Sequence, residues 1–275
     1  MLNSLIDLMT KSLLLLVALM GSIVVAGFIL NIFKDIISRY MYWSLGYTGL
    51  FSTAWIGTPV HELGHALMCL IFGHKITKIR LLRIDKDLVL GYVNHSYNPT
   101  NIYHKVGNFF IGVAPILTGT GAILLLMLGL LPIQLESINK AFMEYSWFTM
   151  DFKGVMFAMS HISSEIFSIM FTNENIHNYK FWIFMVLAVS ISSHMALSKA
   201  DMKGALSGVF AIYLIVFMVN ALTYLPILNK ININGYLMIY NQYMIFALLI
   251  SLLCSLCAVI ISVALYTIKS VFISN

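Results

Sequence analysis

The chain has 275 residues, 60% of them hydrophobic and only 10% charged, and its mean hydropathy is +0.90. A soluble domain carries roughly 25% charged residues, so this composition excludes a soluble enzyme, a nucleic-acid binder and a disordered chain. The net charge of +5 then reads as basic loops at a membrane surface. The expected fold is an all-α polytopic membrane protein. It forms a single integral membrane domain over 1–275, with about six transmembrane helices and a short β-hairpin after the second.

A span needs about 20 mostly apolar residues. The first candidate, Ser12–Phe33, exceeds the 7–15 residues of a signal-peptide core and reads as a transmembrane helix. The second is Leu45–Phe72. In its latter part Thr58 suits an N-cap, Pro59 a first helical position and Gly73 a C-terminal cap, which predicts a helix over 59–72. Next, Ile76–Leu82 and Leu88–Val93 look like two strands around the polar turn Arg83–Asp87. Further spans are expected at Gly107–Leu131, Asn178–Ser198, Gly204–Leu228 and Leu237–Ile268. The mixed segment 132–177 reads as a long loop with one or two surface-lying helices. Within it His161 and Glu165, at i, i+4, could form a second metal site, and a solvated or interfacial pair is the plainer reading. Cys254 and Cys257 form a lone C-x-x-C, which reads as two buried thiols on a helix.

With six spans, ten Lys and Arg residues fall on the side of the termini and of the 74–106 segment, against six on the other. That bias predicts cytoplasmic termini, and the expected location is a bacterial-type cell membrane.

The chemistry concentrates in His61-Glu62-Leu63-Gly64-His65. On a helix, positions i and i+4 share a face, so both imidazoles can reach one ion. Glu62 stands beside the first ligand and can take a proton from a metal-activated water. Zinc is the expected metal, since its catalytic sites use three protein ligands and leave a fourth position open. Two His and a Glu inside an apolar span are expensive in lipid and usually face a cavity. For the third ligand, His194 and Asp201 are seven residues apart, about two helical turns, and either type can bind zinc. Asp201 could instead pair with Lys199 or Lys203 at a helix end. His95 either borders the mouth of the expected site or is a plain polar residue of the hairpin, and Asn94 is open to binding a substrate strand or the tetrahedral oxyanion.

These residues resemble the site-2 protease family of intramembrane zinc metalloproteases. The H-E-x-x-H at 61–65 within a transmembrane helix is one match. The hairpin after it looks like the family's membrane-associated β-structure, and Gly112-Val-Ala-Pro115 is similar to its Ala-Gly-Pro segment. Asp201 falls at the Asp of the family's Asn-x-x-Pro-x-x-x-Leu-Asp-Gly stretch, with Ser193 in place of the Asn and Ala196 in place of the Pro. The likeness covers a metalloprotease-like core over 45–206. It implies a zinc-dependent endopeptidase with His61, His65 and Asp201 as ligands and Glu62 as the base. His194 is then free to hydrogen-bond the oxyanion of the tetrahedral intermediate.

The expected partners are a membrane protein or peptide substrate and the lipid bilayer, with no nucleic acid. Substrate choice rests on the membrane core, the 132–177 segment or an accessory protein. Two other readings share the motif: an inactive pseudoprotease that binds membrane segments, and a zinc hydrolase of a non-peptide lipid.

Overall fold

The computed structural model describes residues 2–82, 90–145, 152–222 and 233–273. Among them, nine helices and one two-stranded sheet follow in the order α1 (Leu2–Leu45), α2 (Tyr47–Ile71), β1 (Lys75–Arg80), β2 (Tyr92–Ser96), α3 (Ile102–Leu130), α4 (Pro132–Met143), α5 (Phe152–Met170), α6 (Asn173–Ile176), α7 (Tyr179–Ser192), α8 (Lys199–Leu222) and α9 (Ile233–Ile273). Four of these, α1, α3, α8 and α9, are long and apolar enough to cross a membrane. The remainder of the 132–177 segment is more ordered than a loop. Ile138, Phe142, Ala158, Ile162 and Ile166 of α4 and α5 are buried in the main core.

α2 begins earlier than Pro59 suggests. Gly46, at φ +61°, makes the turn from α1, a conformation only glycine adopts without steric cost. The helix then runs from Tyr47 with Pro59 inside it, so Thr58 is a mid-helix residue and not a cap. Its far end is as expected. Gly73 has φ +70°, and the bonds Gly73 N–H to Leu70 C=O (3.3 Å) and His74 N–H to Cys69 C=O (2.8 Å) close a Schellman cap.

β1 and β2 pair antiparallel, from Lys75 opposite Ser96 to Arg80 opposite Tyr92, with an irregularity at Thr77. The second strand is therefore shifted toward the C-terminus relative to Leu88–Val93 and takes in Asn94 and His95, polar residues that resemble a turn. The expected turn Arg83–Asp87, with Leu88 and Val89, lies outside the described residues. Asn101 caps α3 by accepting from the N–H groups of Tyr103 and His104.

Contacts along α3 fix the direction of the other helices. Gly64 of α2 meets Ala114 and Thr118, whereas Phe72, just past its end, meets Gly107, so α2 and α3 are antiparallel. Phe184 of α7 shares a small cavity with Met127 of α3. Below it Met195 meets Gly119, Asp201 meets Gly112, and Gly208 meets Phe109. Numbers rise along 184–208 while they fall along α3. α7 and α8 thus form one broken path running a single way, interrupted between Ser192 and Lys199. α1 runs with α3: its Ser12 hydroxyl accepts from Asn220 near the end of α8 (3.0 Å), and its Gly27 packs on Ile116. α9 runs with α1, because Ala258 packs on Ile37 and Met41 and, further along both helices, Lys269 Nζ donates to the Trp43 carbonyl (2.9 Å).

The two expected spans Asn178–Ser198 and Gly204–Leu228 are therefore one path. The first of them folds as a 14-residue helix, about 21 Å long at 1.5 Å per residue, too short to cross a bilayer core of about 30 Å.

Candidate metal centre

His61 and His65 stand one turn apart on α2, and their Nε2 atoms face each other at 3.2 Å. Asp201, in the first turn of α8, brings Oδ1 to 3.3 Å from His65 Nε2 and Oδ2 to 3.9 Å from His61 Nε2. Among the described residues these three form the one cluster whose ligand atoms lie together closely enough for a metal ion. Ligand atoms on one tetrahedral metal ion with bonds near 2 Å stand about 3.3 Å apart, and the 3.2 and 3.3 Å separations are of that size.

Each histidine is held through its other nitrogen. His61 Nδ1 donates to the His194 carbonyl at 2.7 Å, and His65 Nδ1 donates to the Ile111 carbonyl at 2.8 Å. A carbonyl only accepts, so both Nδ1 atoms carry hydrogen. In the neutral rings both Nε2 atoms are then bare acceptors. Two facing lone pairs at 3.2 Å repel unless a cation lies against them, which fits the donor set to a metal. Carbonyl bonds of this kind orient metal-binding imidazoles and fix their tautomers.

The sequence explains why those carbonyls are free. Ile111 would normally bond the N–H four residues on, but that residue is Pro115, which has none. His194 lies in the break between α7 and α8, and the N–H four residues beyond it, on Ser198, donates to Asp201 Oδ2 at 2.7 Å. Asp201 N–H returns a bond to Ser198 Oγ at 3.1 Å. This reciprocal pair is a capping box with Asp at its fourth position. It leaves Oδ1 turned toward His65. In the described residues the Asp201 carboxylate faces His61 and His65, not Lys199 or Lys203.

Close approach of α8 to the motif depends on Gly112, where a Cβ would stand 2.6 Å from Ala205 N. A cavity of about 290 Å³ opens over the cluster. It is lined by His61, Glu62, His65, Asp201 and Asn108, and by β2 with its approach, from Gly91 through His95. Glu62 is buried at 6% exposure, and a Cβ on Gly91 would stand 2.7 Å from its Cγ. The residue that leads into β2 is therefore packed directly on the candidate base.

His194 is placed differently from its expected role. Its Nε2 meets Thr53 Oγ1 at 3.1 Å and its Nδ1 meets Thr58 Oγ1 at 3.4 Å. The ring lines a separate cavity of about 190 Å³ with Lys34 and Ser193. Its backbone carbonyl serves the cluster and its imidazole does not reach it. Nor do His194 and Asp201 share a helix, as the two-turn spacing suggested, because the chain is not helical between Ser192 and Lys199. His161 and Glu165 lie 3.9 Å apart on the exposed side of α5, in keeping with a surface pair.

Gly91, Ser198 and Asn108 escaped the sequence reading, as did the two carbonyls. Two signals were present: a proline four residues after Ile111, and Ser-x-x-Asp opening α8. Comparison with known proteins returns no match: no family model, no curated protein and no solved structure.

Proposed function

We propose that this chain is a zinc-dependent intramembrane endopeptidase, with His61, His65 and Asp201 as the metal ligands and Glu62 as general base. The observation that carries this reading is the pair of bare Nε2 atoms facing a carboxylate at zinc spacing, beside a carboxyl group in a cavity. Zinc, when bound, would lower the pKa of a water toward 7 and polarise the scissile carbonyl. Glu62 takes a proton from the attacking water and delivers it to the leaving amine. Asn108 and β2 form the walls against which a peptide lies. Among the described residues β2 pairs on one side only, so its outer edge is free to hydrogen-bond an unwound substrate segment.

The directions of α1, α2, α3, α7–α8 and α9 support five membrane passes in place of six, with α2 and the joined α7–α8 path as crossings. Irregular backbone at membrane depth is tolerated where it lines a cavity, and the break at 193–198 does so. An odd number of passes puts the termini on opposite faces. Eight Lys and Arg residues (Lys11, Lys230 and the six of 74–106) then lie with the N-terminus against six opposite, leaving aside Lys199 and Lys203 near the cavity. The N-terminus and hairpin are thus cytoplasmic and the C-terminus is not. Reporter fusions at both ends check this, and a cytoplasmic C-terminus restores the six-span arrangement.

Elemental analysis of the purified protein should find about one zinc per chain. Glu62→Gln should keep that zinc and lose cleavage of model transmembrane peptides by several orders of magnitude, as expected for a member of a cooperative catalytic unit. Absence of any transition metal, or full cleavage by the variant, refutes the proposal.

A further inference from the structure

A second group of histidines sits where the hairpin meets the ends of α2 and α3. His74, 3% exposed, follows the Schellman cap of α2, so the helix that carries the metal motif also fixes its place. Its Nε2 donates to the His104 carbonyl at 2.9 Å, and its ring stacks on Tyr97 with centroids 5.0 Å apart. Gly107 makes room, since a Cβ there would stand 3.0 Å from His74 Nε2. On the other side His74 Nδ1 meets His95 Nδ1 at 3.0 Å.

The proton positions follow one from another. The His104 carbonyl only accepts, so His74 carries hydrogen on Nε2 and, as a neutral ring, a lone pair on Nδ1. His95 Nδ1 must then donate into it. That leaves His95 Nε2 as an acceptor, and His95 lines the cavity over the metal cluster. Desolvation, the largest cause, lowers the pKa of both rings and so favours their neutral forms, and it outweighs the raising effect of the hydrogen bond from His74 to the His104 carbonyl.

Position along β2 gives this acceptor a place on a substrate. Gly91 is packed on Glu62, level with the reacting bond. His95 comes four residues later, about 13 Å along an extended strand.

We propose that His95 is a specificity-determining residue whose Nε2 accepts a hydrogen bond from a donor side chain (hydroxyl, amide or ammonium) about four residues from the scissile bond, with His74 as the positioning residue that fixes its tautomer. This rests on the endopeptidase reading above. A neutral acceptor at that place gives nothing to an oxyanion and discriminates among substrates instead.

Two measurements test it on the full-length, zinc-loaded protein. ¹⁵N-histidine NMR in lipid nanodiscs, assigned with His74→Gln and His95→Gln, should show His95 protonated on Nδ1 and His74 on Nε2. Protonation of His95 on Nε2 overturns the proposal. Transmembrane model peptides carrying Ser, Lys or Ala at successive positions from the cut should show a preference for Ser and Lys over Ala near the fourth. A single neutral hydrogen bond predicts roughly 2- to 10-fold in kcat/KM. The ratio within each variant cancels any general loss of activity. It should fall to one in His95→Phe, fall in His74→Phe, and survive in part in His95→Gln, which keeps an acceptor oxygen. A preference unchanged in His95→Phe overturns the proposal alone. If the wild type cuts none of the peptides, the endopeptidase reading falls and this proposal with it.

Discussion

Two histidine pairs lie on or beside α2, and their facing nitrogens are almost equally close, 3.2 Å for His61 and His65 and 3.0 Å for His74 and His95. They differ in what holds the other nitrogens. In the first pair both Nδ1 atoms are committed to carbonyls, so two lone pairs face each other and a proton is missing between them. In the second pair only His74 is committed to a carbonyl, so His95 can supply the proton and the contact is an ordinary hydrogen bond. The first pair also has Asp201 beside it, and no carboxylate joins the second in the described residues. Short separation alone therefore does not distinguish a metal site from a hydrogen bond. Counting donors does.

The sharpest way to break this distinction is to remove one member from each pair. His61→Ala, His65→Ala or Asp201→Ala should empty the site, whereas His74→Ala and His95→Ala should keep about one zinc per chain. His194→Ala should also keep zinc, because its contribution to the cluster is a backbone carbonyl. Metal content of each purified variant, normalised to folded protein, is the measurement. Zinc lost with His74 or His95, or kept without Asp201, would mean the donor count has been assigned to the wrong pair.

How much of this was legible beforehand differs between the two pairs as well. The first was plain, because the i, i+4 spacing of His61 and His65 is a property of the helix itself. Asp201 was a candidate from its residue type alone, but only the family resemblance put it ahead of His194, since its approach depends on α8 packing against Gly112 of α3. The Pro59 signal misplaced the start of α2, because a proline at a first helical position and one inside a membrane helix look alike in sequence. Spacing within an apparent helix likewise misread His194 and Asp201, as it could not show the break after Ser192. The second pair was illegible. His74 and His95 meet only through the pairing of the two strands, and the second strand was expected to begin at Leu88 and end at Val93, short of His95.

A subtler perturbation sharpens the first pair. Pro115→Ala restores an N–H four residues after Ile111, which would compete with His65 Nδ1 for the same carbonyl. Loss of such an outer bond typically lowers metal affinity by 10–100-fold. Competition with a chromophoric chelator should show weaker zinc binding of that order, with the helical content by circular dichroism equal to or above that of the wild type. Unchanged affinity would mean the Ile111 carbonyl does not orient His65.

The smallest expected effect concerns the second pair and pH. Both His74 and His95 have pKa values below the ordinary 6.5 in the docked hairpin, chiefly through desolvation. His104 faces His74 as well, and a charge on it lowers the His74 value further. When the hairpin is undocked and solvated, the two rings return toward 6.5. The undocked state therefore binds protons more readily, and by linkage docking is favoured in full above 6.5 and weakens as pH falls below it. Protonation of His74 also removes the acceptor that holds His95. Hydrogen exchange over Lys75–Arg80 and Tyr92–Ser96 should accelerate between about pH 6.5 and 5 beyond the intrinsic pH dependence of exchange. The same segments should lose that extra acceleration in a His74→Gln, His95→Gln double variant, whose amides do not titrate. Protection that stays level across this range in the wild type would mean the two rings titrate alike in the docked and undocked hairpin.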